Sequence, residues 1–250
     1  MKLLFALVAL FFLSGARDPI LVPEVSQHDI QLRQGFTGTE LLLFGAILDP
    51  SGTRAGRDYD IVVVLKGPRQ SIVVREKKKV AGIWINADST EFRSAPMYYA
   101  VASSKPISRI VDDRTAAIYE LGLPWLQLSP IGAIDPARQT HFAKGLVALN
   151  QESGLYQEAD DTVQIKEQVL YQVRIALPSN VPAGDYMAET FAVTKGRVVA
   201  SAISPVVVRK IGFEGAAAAF AQQYAFFYGL LAVAISVMMG WIAGRVLAID

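Results

Sequence analysis

The side chains able to carry out acid–base or metal chemistry are few and widely separated in this sequence. The two histidines, His28 and His141, lie far apart, and neither has a second ligand at the spacing of a zinc site. The adjacent carboxylates Asp112 and Asp113 point in different directions in regular secondary structure, so they are not a ready-made acid–base pair. From these residues we predict no catalytic residue, no metal site and no bound cofactor.

Motifs that would indicate a nucleophile or a phosphate site do not occur either. The sequence has no cysteine, which excludes thiol chemistry, and it has no Gly-x-Ser-x-Gly motif. The glycine-rich "QGFTGTE" lacks the Lys-Ser/Thr of a phosphate-binding loop and is typical of a turn before a strand. An enzyme would need a site assembled by the fold, and a carboxylate-based hydrolase would use Asp112, Asp113, Asp135 and His141. A receptor for a small ligand is another alternative, and it also needs a pocket.

Short apolar runs separated by turn residues predict strands before and after the middle of the chain. The runs include "DIVVVLK", "GIWINA", "GDYMAETFAVT" and "RVVASAISPVVVRK", and they are rich in β-branched and aromatic residues. The "KGPRQ" segment predicts a hairpin connection, and Lys195–Gly196 predicts the turn between the last two strands.

Two segments in this strand region carry unusual side chains. The three lysines of "REKKKV" predict a solvated turn, with a contact to an anion or a lipid headgroup as the alternative. "PMYYAV" predicts a strand with one tyrosine facing inward and one outward, and a partner surface is the alternative.

The period of the apolar residues changes in the middle of the chain. "ISRIVDDRTAAIYELGL" and "DPARQTHFAKGLVALNQESG" predict two short helices, the second with Asp135 as N-cap and Pro136 at its first position. We therefore predict a mainly β fold, an immunoglobulin-like β-sandwich over residues 17–215 whose chain passes through a helical insertion at about 106–158. Two small sandwiches are the alternative.

Tyr186 stands two residues after Gly184 at the start of a late strand, in "NVPAGDYMAETF". This pattern resembles the tyrosine corner of immunoglobulin-like domains, in which the tyrosine hydroxyl binds the backbone of the preceding connection. We predict a structural role for Tyr186.

Both ends of the chain are strongly apolar. Residues 224–244 contain no charged residue, and 21 residues at about 1.5 Å each span roughly 31 Å, the thickness of the hydrocarbon core. Lys2, the apolar run 3–13 and the small residues 14–16 predict a signal peptide cleaved after residue 16. The expected topology is an exported domain, a transmembrane helix with its lead-in at 216–245, and a cytoplasmic stub at 246–250.

Small residues recur at every fourth position of the C-terminal helix. They lie on one face, along which the backbone of another helix could pack closely. The net charge is +1 with Lys and Arg spread along the chain, so no nucleic-acid partner is indicated. We predict a membrane-bound protein whose helix packs on another transmembrane protein or forms a homodimer, through Ala232, Ser236, Gly240 and Gly244, with Ala248 continuing the pattern.

The order of these features resembles a family of transmembrane proteins described from alphaproteobacteria. "IVVVLKGP", "GIWINA", "MYYAVAS", "PAGDY" and the single C-terminal helix carry the resemblance, which covers nearly the whole chain. It implies an inner-membrane location with the domain in the periplasm and an association with exporters of sulfite or organosulfonates. It supplies no catalytic residue. The expected function is that of a non-enzymatic binding or accessory module.

Overall fold

A computed structural model describes residues 19–48, 59–132, 134–167, 169–212 and 220–247. The segment predicted as a signal peptide, residues 1–16, and the last residues of the predicted stub, 248–250, lie outside the described residues. Within the described residues the chain forms two compact units, one of residues 19–30 and 37–208 and one of residues 31–36 and 209–247.

Strands make up most of the larger unit, as the sequence predicts. The described residues form twelve strands: β1 (Ile20–Val25), β2 (Asp29–Leu32), β3 (Gly38–Leu48), β4 (Asp60–Lys66), β5 (Arg69–Val80), β6 (Ile83–Pro96), β7 (Tyr99–Ser103), β8 (Tyr156–Ala159), β9 (Gln164–Lys166), β10 (Leu170–Pro178), β11 (Gly184–Thr194) and β12 (Arg197–Lys210).

The strands form two larger sheets and one hairpin. One sheet has the order β1-β3-β10-β9, the other has the order β2-β12-β11-β4-β7-β8, and among the described strands β5 pairs with β6 alone. The predicted turn at Lys195–Gly196 is confirmed, because β11 and β12 pair antiparallel with Thr194 opposite Arg197. Both larger sheets combine strands from before and after the middle of the chain. The fold is mainly β, while its immunoglobulin-like character stays a prediction.

Helices occupy the segment between β7 and β8, which pair in parallel. They are α1 (Ile107–Ile110), α2 (Asp113–Tyr119) and α3 (Pro136–Glu152), with a 3₁₀ turn at Leu123–Trp125. The first predicted helix is divided in two, because Val111 is extended and bridges to Gly196 while Asp112 caps α2. The predicted start of α3 is confirmed, with Asp135 accepting from the backbone amides of the first turn.

Strand β4 is buried on both faces, since each residue from Ile61 to Lys66 is inaccessible or nearly so. Val62 and Val64 pack with the helices and with Phe92 of the hairpin in one core. Because side chains alternate along a strand, Ile61, Val63 and Leu65 point to the opposite face of the sheet. This arrangement explains the unbroken apolar run of β4, which is typical of a strand covered on both faces.

The "KGPRQ" hairpin prediction is wrong. Strand β4 pairs with β7 and β11, and β5 leaves to pair with β6. Pro68 has no amide to donate to a ladder, and Gly67 donates its own amide to the carbonyl of Tyr98 at 2.8 Å. The Gly-Pro pair therefore ends one sheet and directs the chain into the separate hairpin.

The two predictions about unusual side chains in this region are also wrong. The three lysines lie within β5, and the turn comes at Ala81 and Gly82, which both have positive φ as a two-residue hairpin turn requires. Tyr98 and Tyr99 are both fully buried, because the face expected to be solvated is covered. Their hydroxyls donate to the carbonyls of Ala176, at 2.8 Å, and of Glu120, at 2.6 Å.

The smaller unit contains α4 (Ala225–Leu247), which confirms the predicted C-terminal helix. Its 21 residues from Ala225 to Arg245 have a mean hydropathy of 2.0 and are long and apolar enough to cross a membrane. It is the one such helix in the described part of the chain.

Candidate functional site

The four residues that would serve a carboxylate-based hydrolase do not converge. Asp112 and Asp135 are exposed helix caps, with Asp112 accepting from the amide of Thr115 at 2.8 Å. Asp113 is exposed in the first turn of α2, and His141 is exposed with its Nε2 3.5 Å from a carboxylate oxygen of Glu76. Among the described residues no group of three metal-ligating side chains comes together.

The structure instead shows a cluster of four charged side chains, which we call the ionic cluster: Lys66, Arg69, Glu120 and Glu189. The Nζ of Lys66 lies 3.0 Å from Oε2 of Glu120 and 3.1 Å from Oε2 of Glu189. Arg69 Nη2 also lies 3.2 Å from Oε2 of Glu120. The side chains of Lys66 and Glu120 are only 10% and 11% exposed, so each charge depends on its partners rather than on water.

Strand alternation places Lys66 in the ionic cluster. Lys66 shares a face of β4 with Val62 and Val64, which pack with the helices. Glu189 lies directly opposite Val64 on β11, so Lys66 and Glu189 are diagonal neighbours on adjacent strands.

Glu120 reaches the cluster because it ends α2 in the left-handed conformation, with φ 53° and ψ 47°. Its backbone carbonyl accepts the hydroxyl of Tyr99, which in turn accepts the amide of Gly122 at 3.0 Å. Its Oε1 accepts the amide of Gln127 at 3.1 Å, while Oε2 faces the two cations. Both carboxylate oxygens and the backbone of Glu120 are therefore held in place.

The surroundings of Glu120 lower its pKa below the ordinary value. Burial alone would raise the pKa, but the hydrogen bond and positive charge of Lys66, the Gln127 amide and the charge of Arg69 together outweigh it. Glu120 is consequently ionised at neutral pH, and the two carboxylates balance the two cations of the cluster.

A cavity of about 500 Å³ opens beside the ionic cluster. Its lining combines ionic groups with hydroxyl, amide and aromatic groups, a combination suited to a small polar molecule. The remaining lining residues are Ser94, Ile118, Tyr119, Gln127, Ser129, Phe191 and Ser201.

The ionic cluster was not predicted from the sequence, although one residue indicates it. Lys66 ends the run "DIVVVLK", whose length and composition indicate a strand buried on both faces. A lysine at the end of such a strand requires a buried partner. The sequence does not show which carboxylate supplies it, because Glu120 lies 54 residues further along the chain.

The hydroxyl of Tyr186 donates to the carbonyl of Pro182 at 2.7 Å. Its ring is buried and lies 5.8 Å from that of Tyr98. The bond runs four residues back along the connection that leads into β11, as a tyrosine corner requires. The corner role itself stays a prediction.

The predicted packing residues of α4 lie on a helix that is exposed from Ala225 to Arg245. A Cβ built on Gly240 or Gly244 has open space around it within the described residues. Ser236 donates its hydroxyl to the carbonyl of Ala232 at 2.9 Å, so the helix itself satisfies this polar group.

Comparison with protein families identifies one family that matches this chain. A family described as "Putative transmembrane protein (Alph_Pro_TM)" matches residues 20–248, which is nearly the full length. The chain belongs to this family. No curated protein matches it significantly.

Membership in this transmembrane family assigns α4 to the membrane. Tyr228 near its start and Trp241 near its end are residues that prefer the membrane–water interface. Arg245 follows Trp241, and its guanidinium carbon lies 5.5 Å from the centroid of the Trp241 rings. The family description names no activity, so functional assignments depend on the residues of this chain.

Proposed function

We propose that this protein is a membrane-anchored, non-enzymatic accessory module whose β domain lies in the periplasm. Helix α4 holds it in the inner membrane and docks on another membrane protein through the small-residue face at Ala232, Ser236, Gly240 and Gly244. The resemblance to the family favours an exporter of sulfite or organosulfonates as that partner.

The observation that carries this proposal is the small-residue face of α4. Membrane helices associate by close packing rather than by the hydrophobic effect, so small side chains at i and i+4 bring two backbones together. The hydroxyl of Ser236 is already bonded within the helix. The face can therefore contribute close packing to an association, but no unsatisfied hydrogen-bonding group.

The ionic cluster supports a non-enzymatic role. Each of its four charges is paired within the domain. This pairing holds the four side chains in place, as expected of a structural role. The four residues expected of a carboxylate-based hydrolase serve as caps or lie exposed.

Replacing both Gly240 and Gly244 with leucine should abolish docking without releasing the protein from the membrane. Leucine keeps the helix apolar enough to insert, but it adds bulk where the partner backbone would approach. Membrane abundance should remain at the wild-type level, while recovery of the partner after gentle-detergent purification should fall about tenfold, roughly 1.4 kcal/mol.

The matched control places the same two leucines at Val233 and Val237, on another face of α4. This control should keep the partner at the wild-type level. Loss of homodimer crosslinking, with no heterologous protein recovered from the wild type, would assign the face to self-association and contradict docking. Full partner recovery by the Gly240→Leu/Gly244→Leu variant would contradict both forms of packing.

Reporter fusions should place the domain outside the cytoplasm and the end of the chain inside it. The basis is Arg245, a cation directly after the apolar stretch, since positive flanks stay cytoplasmic. An alkaline phosphatase fusion near Gly154 should be active, and one at the C-terminus should be inactive, with the opposite pattern for green fluorescent protein. The reverse result would overturn the periplasmic assignment.

A further inference from the structure

The hairpin of β5 and β6 carries an arm that extends away from the core. Residues 77–87 are all exposed, and they pair only with one another, from Lys77 opposite Asn86 to Val80 opposite Ile83. Three residue steps of about 3.3 Å make the paired part of the arm roughly 10 Å long before its turn. Because all of these residues are exposed, the arm covers none of the core that the described residues form.

The end of the arm is apolar and aromatic. Val80, Ile83, Trp84 and Ile85 surround the turn, and Ile83 and Trp84 are 68% and 66% exposed. Large apolar side chains that cluster on a projecting element indicate an interaction site rather than scattered surface residues.

A run of positive charge lies beside these apolar residues, on the other strand of the arm. Lys77, Lys78 and Lys79 follow one another, and residues 77–87 contain no acid. Lys79 is opposite Trp84 and Lys78 is opposite Ile85, so each lysine accompanies an apolar residue on its own face of the arm. The charge and the apolar surface therefore lie side by side on the two strands of the arm, at the same distance from the turn.

The base of the arm is fixed to the domain. Arg138 of α3 pairs with Asp88 of β6, and His141 of α3 lies 3.5 Å from Glu76 of β5. These acids are used at the base, which leaves the lysines as the exposed charge toward the tip. Lys78 also lies 3.2 Å from Glu76 and remains 55% exposed.

We infer that this arm inserts its tip into the interface of a lipid bilayer that contains anionic phospholipids. Trp84 and the aliphatic residues match the acyl boundary, where tryptophan is enriched, and the long side chains of the lysines beside them reach the phosphate level. A second copy of this chain that met the arm along β5 is a poor occupant, since the consecutive lysines of the two β5 strands would repel. The inference is independent of any docking partner.

The membrane anchor makes such a contact effective even if it is weak. Helix α4 keeps the domain tethered to a bilayer, so the arm meets lipid at a high local concentration. The affinity of the arm alone can therefore be modest.

The chain has no cysteine, so a single Trp84→Cys substitution offers a unique site for an environment-sensitive fluorophore. The full-length protein is reconstituted into vesicles of equal parts phosphatidylcholine and phosphatidylglycerol, with brominated acyl chains as quencher. The label at position 84 should be strongly quenched. A label at Leu149→Cys, an exposed position on α3, is the matched control and should stay unquenched.

Replacing Lys77, Lys78 and Lys79 with glutamine should move the quenching at position 84 toward the control value. Each lysine near an anionic surface contributes roughly fivefold to partitioning. Vesicles of phosphatidylcholine alone should reproduce that loss with the lysines intact. Equal quenching at positions 84 and 149 would contradict insertion of the tip. Strong quenching at position 84 that is unchanged by the lysine substitutions and by the removal of phosphatidylglycerol would contradict a role for anionic lipid.

Discussion

Replacing Glu120 with glutamine should lower the free energy of unfolding by about 3 kcal/mol, because it leaves buried cations without a counter-charge. Lys66 would keep only Glu189, and Arg69 would lose its carboxylate partner. The measurement is urea unfolding of the detergent-solubilised protein, followed by circular dichroism.

The matched control is Glu152→Gln, the same change at the exposed last residue of α3. It should alter stability by less than about 0.5 kcal/mol. Equal midpoints for the two variants would show that the ionic cluster contributes no net stability.

The same substitution predicts a pH dependence. The folded pKa of Glu120 is lowered from 4.5, so its contribution to stability is present above pH 4.5 and is lost as the pH falls through the folded pKa. The difference in stability between wild type and Glu120→Gln should therefore be full at neutral pH and shrink progressively below pH 4.5. A difference that stays constant down to low pH would contradict an ionised Glu120 in the folded state.

Replacing Gly45 with alanine should destabilise the domain by about 3 kcal/mol or more, which is severe overpacking. A Cβ there would collide with the carbonyl oxygen of Val22 and come within 2.5 Å of the hydroxyl of Tyr171. Tyr171 lies opposite Gly45 on β10 and extends to Thr190 of the other sheet, with 3.3 Å between the two hydroxyl oxygens. The tyrosine uses the space that glycine provides, so neither the ring nor the Val22 backbone can move away freely.

Gly145→Ala is the control for this prediction, with the opposite expected sign. Gly145 lies inside α3 and a Cβ there would meet nothing within 4 Å, so alanine should stabilise the helix by about 0.5–1 kcal/mol. Thermal unfolding of both variants measures the two effects. A Gly45→Ala protein as stable as wild type would mean that Tyr171 does not cross above Gly45 as described.

Features encoded in neighbouring residues could be predicted from this sequence. The transmembrane helix follows from 21 consecutive residues without a charge, and the start of α3 follows from Asp135 and Pro136. The strands follow from their composition, because β-branched and aromatic runs suit a pleated and partly buried surface.

Features that depend on distant residues could not be predicted. "KGPRQ" has the turn chemistry of a hairpin, but whether two strands then pair is decided by competing neighbours, here β11 and β7 for β4. Tyr98 and Tyr99 follow strand alternation, yet both are buried because helices cover the second face. The ionic cluster joins residues of β4, α2 and β11, and no local pattern connects them.

The interleaving of early and late strands also determines when this domain can fold. Leu43 of β3 is paired with Val173 of β10, 130 residues later in the chain, and contacts of such separation are slow to form. Strand β3 therefore remains without native partners on that edge until most of the chain has been synthesised. During that interval its apolar residues are available to chaperones or to aggregation. Completion of the domain is thus almost simultaneous with the emergence of its own membrane anchor, which begins 15 residues after the end of β12.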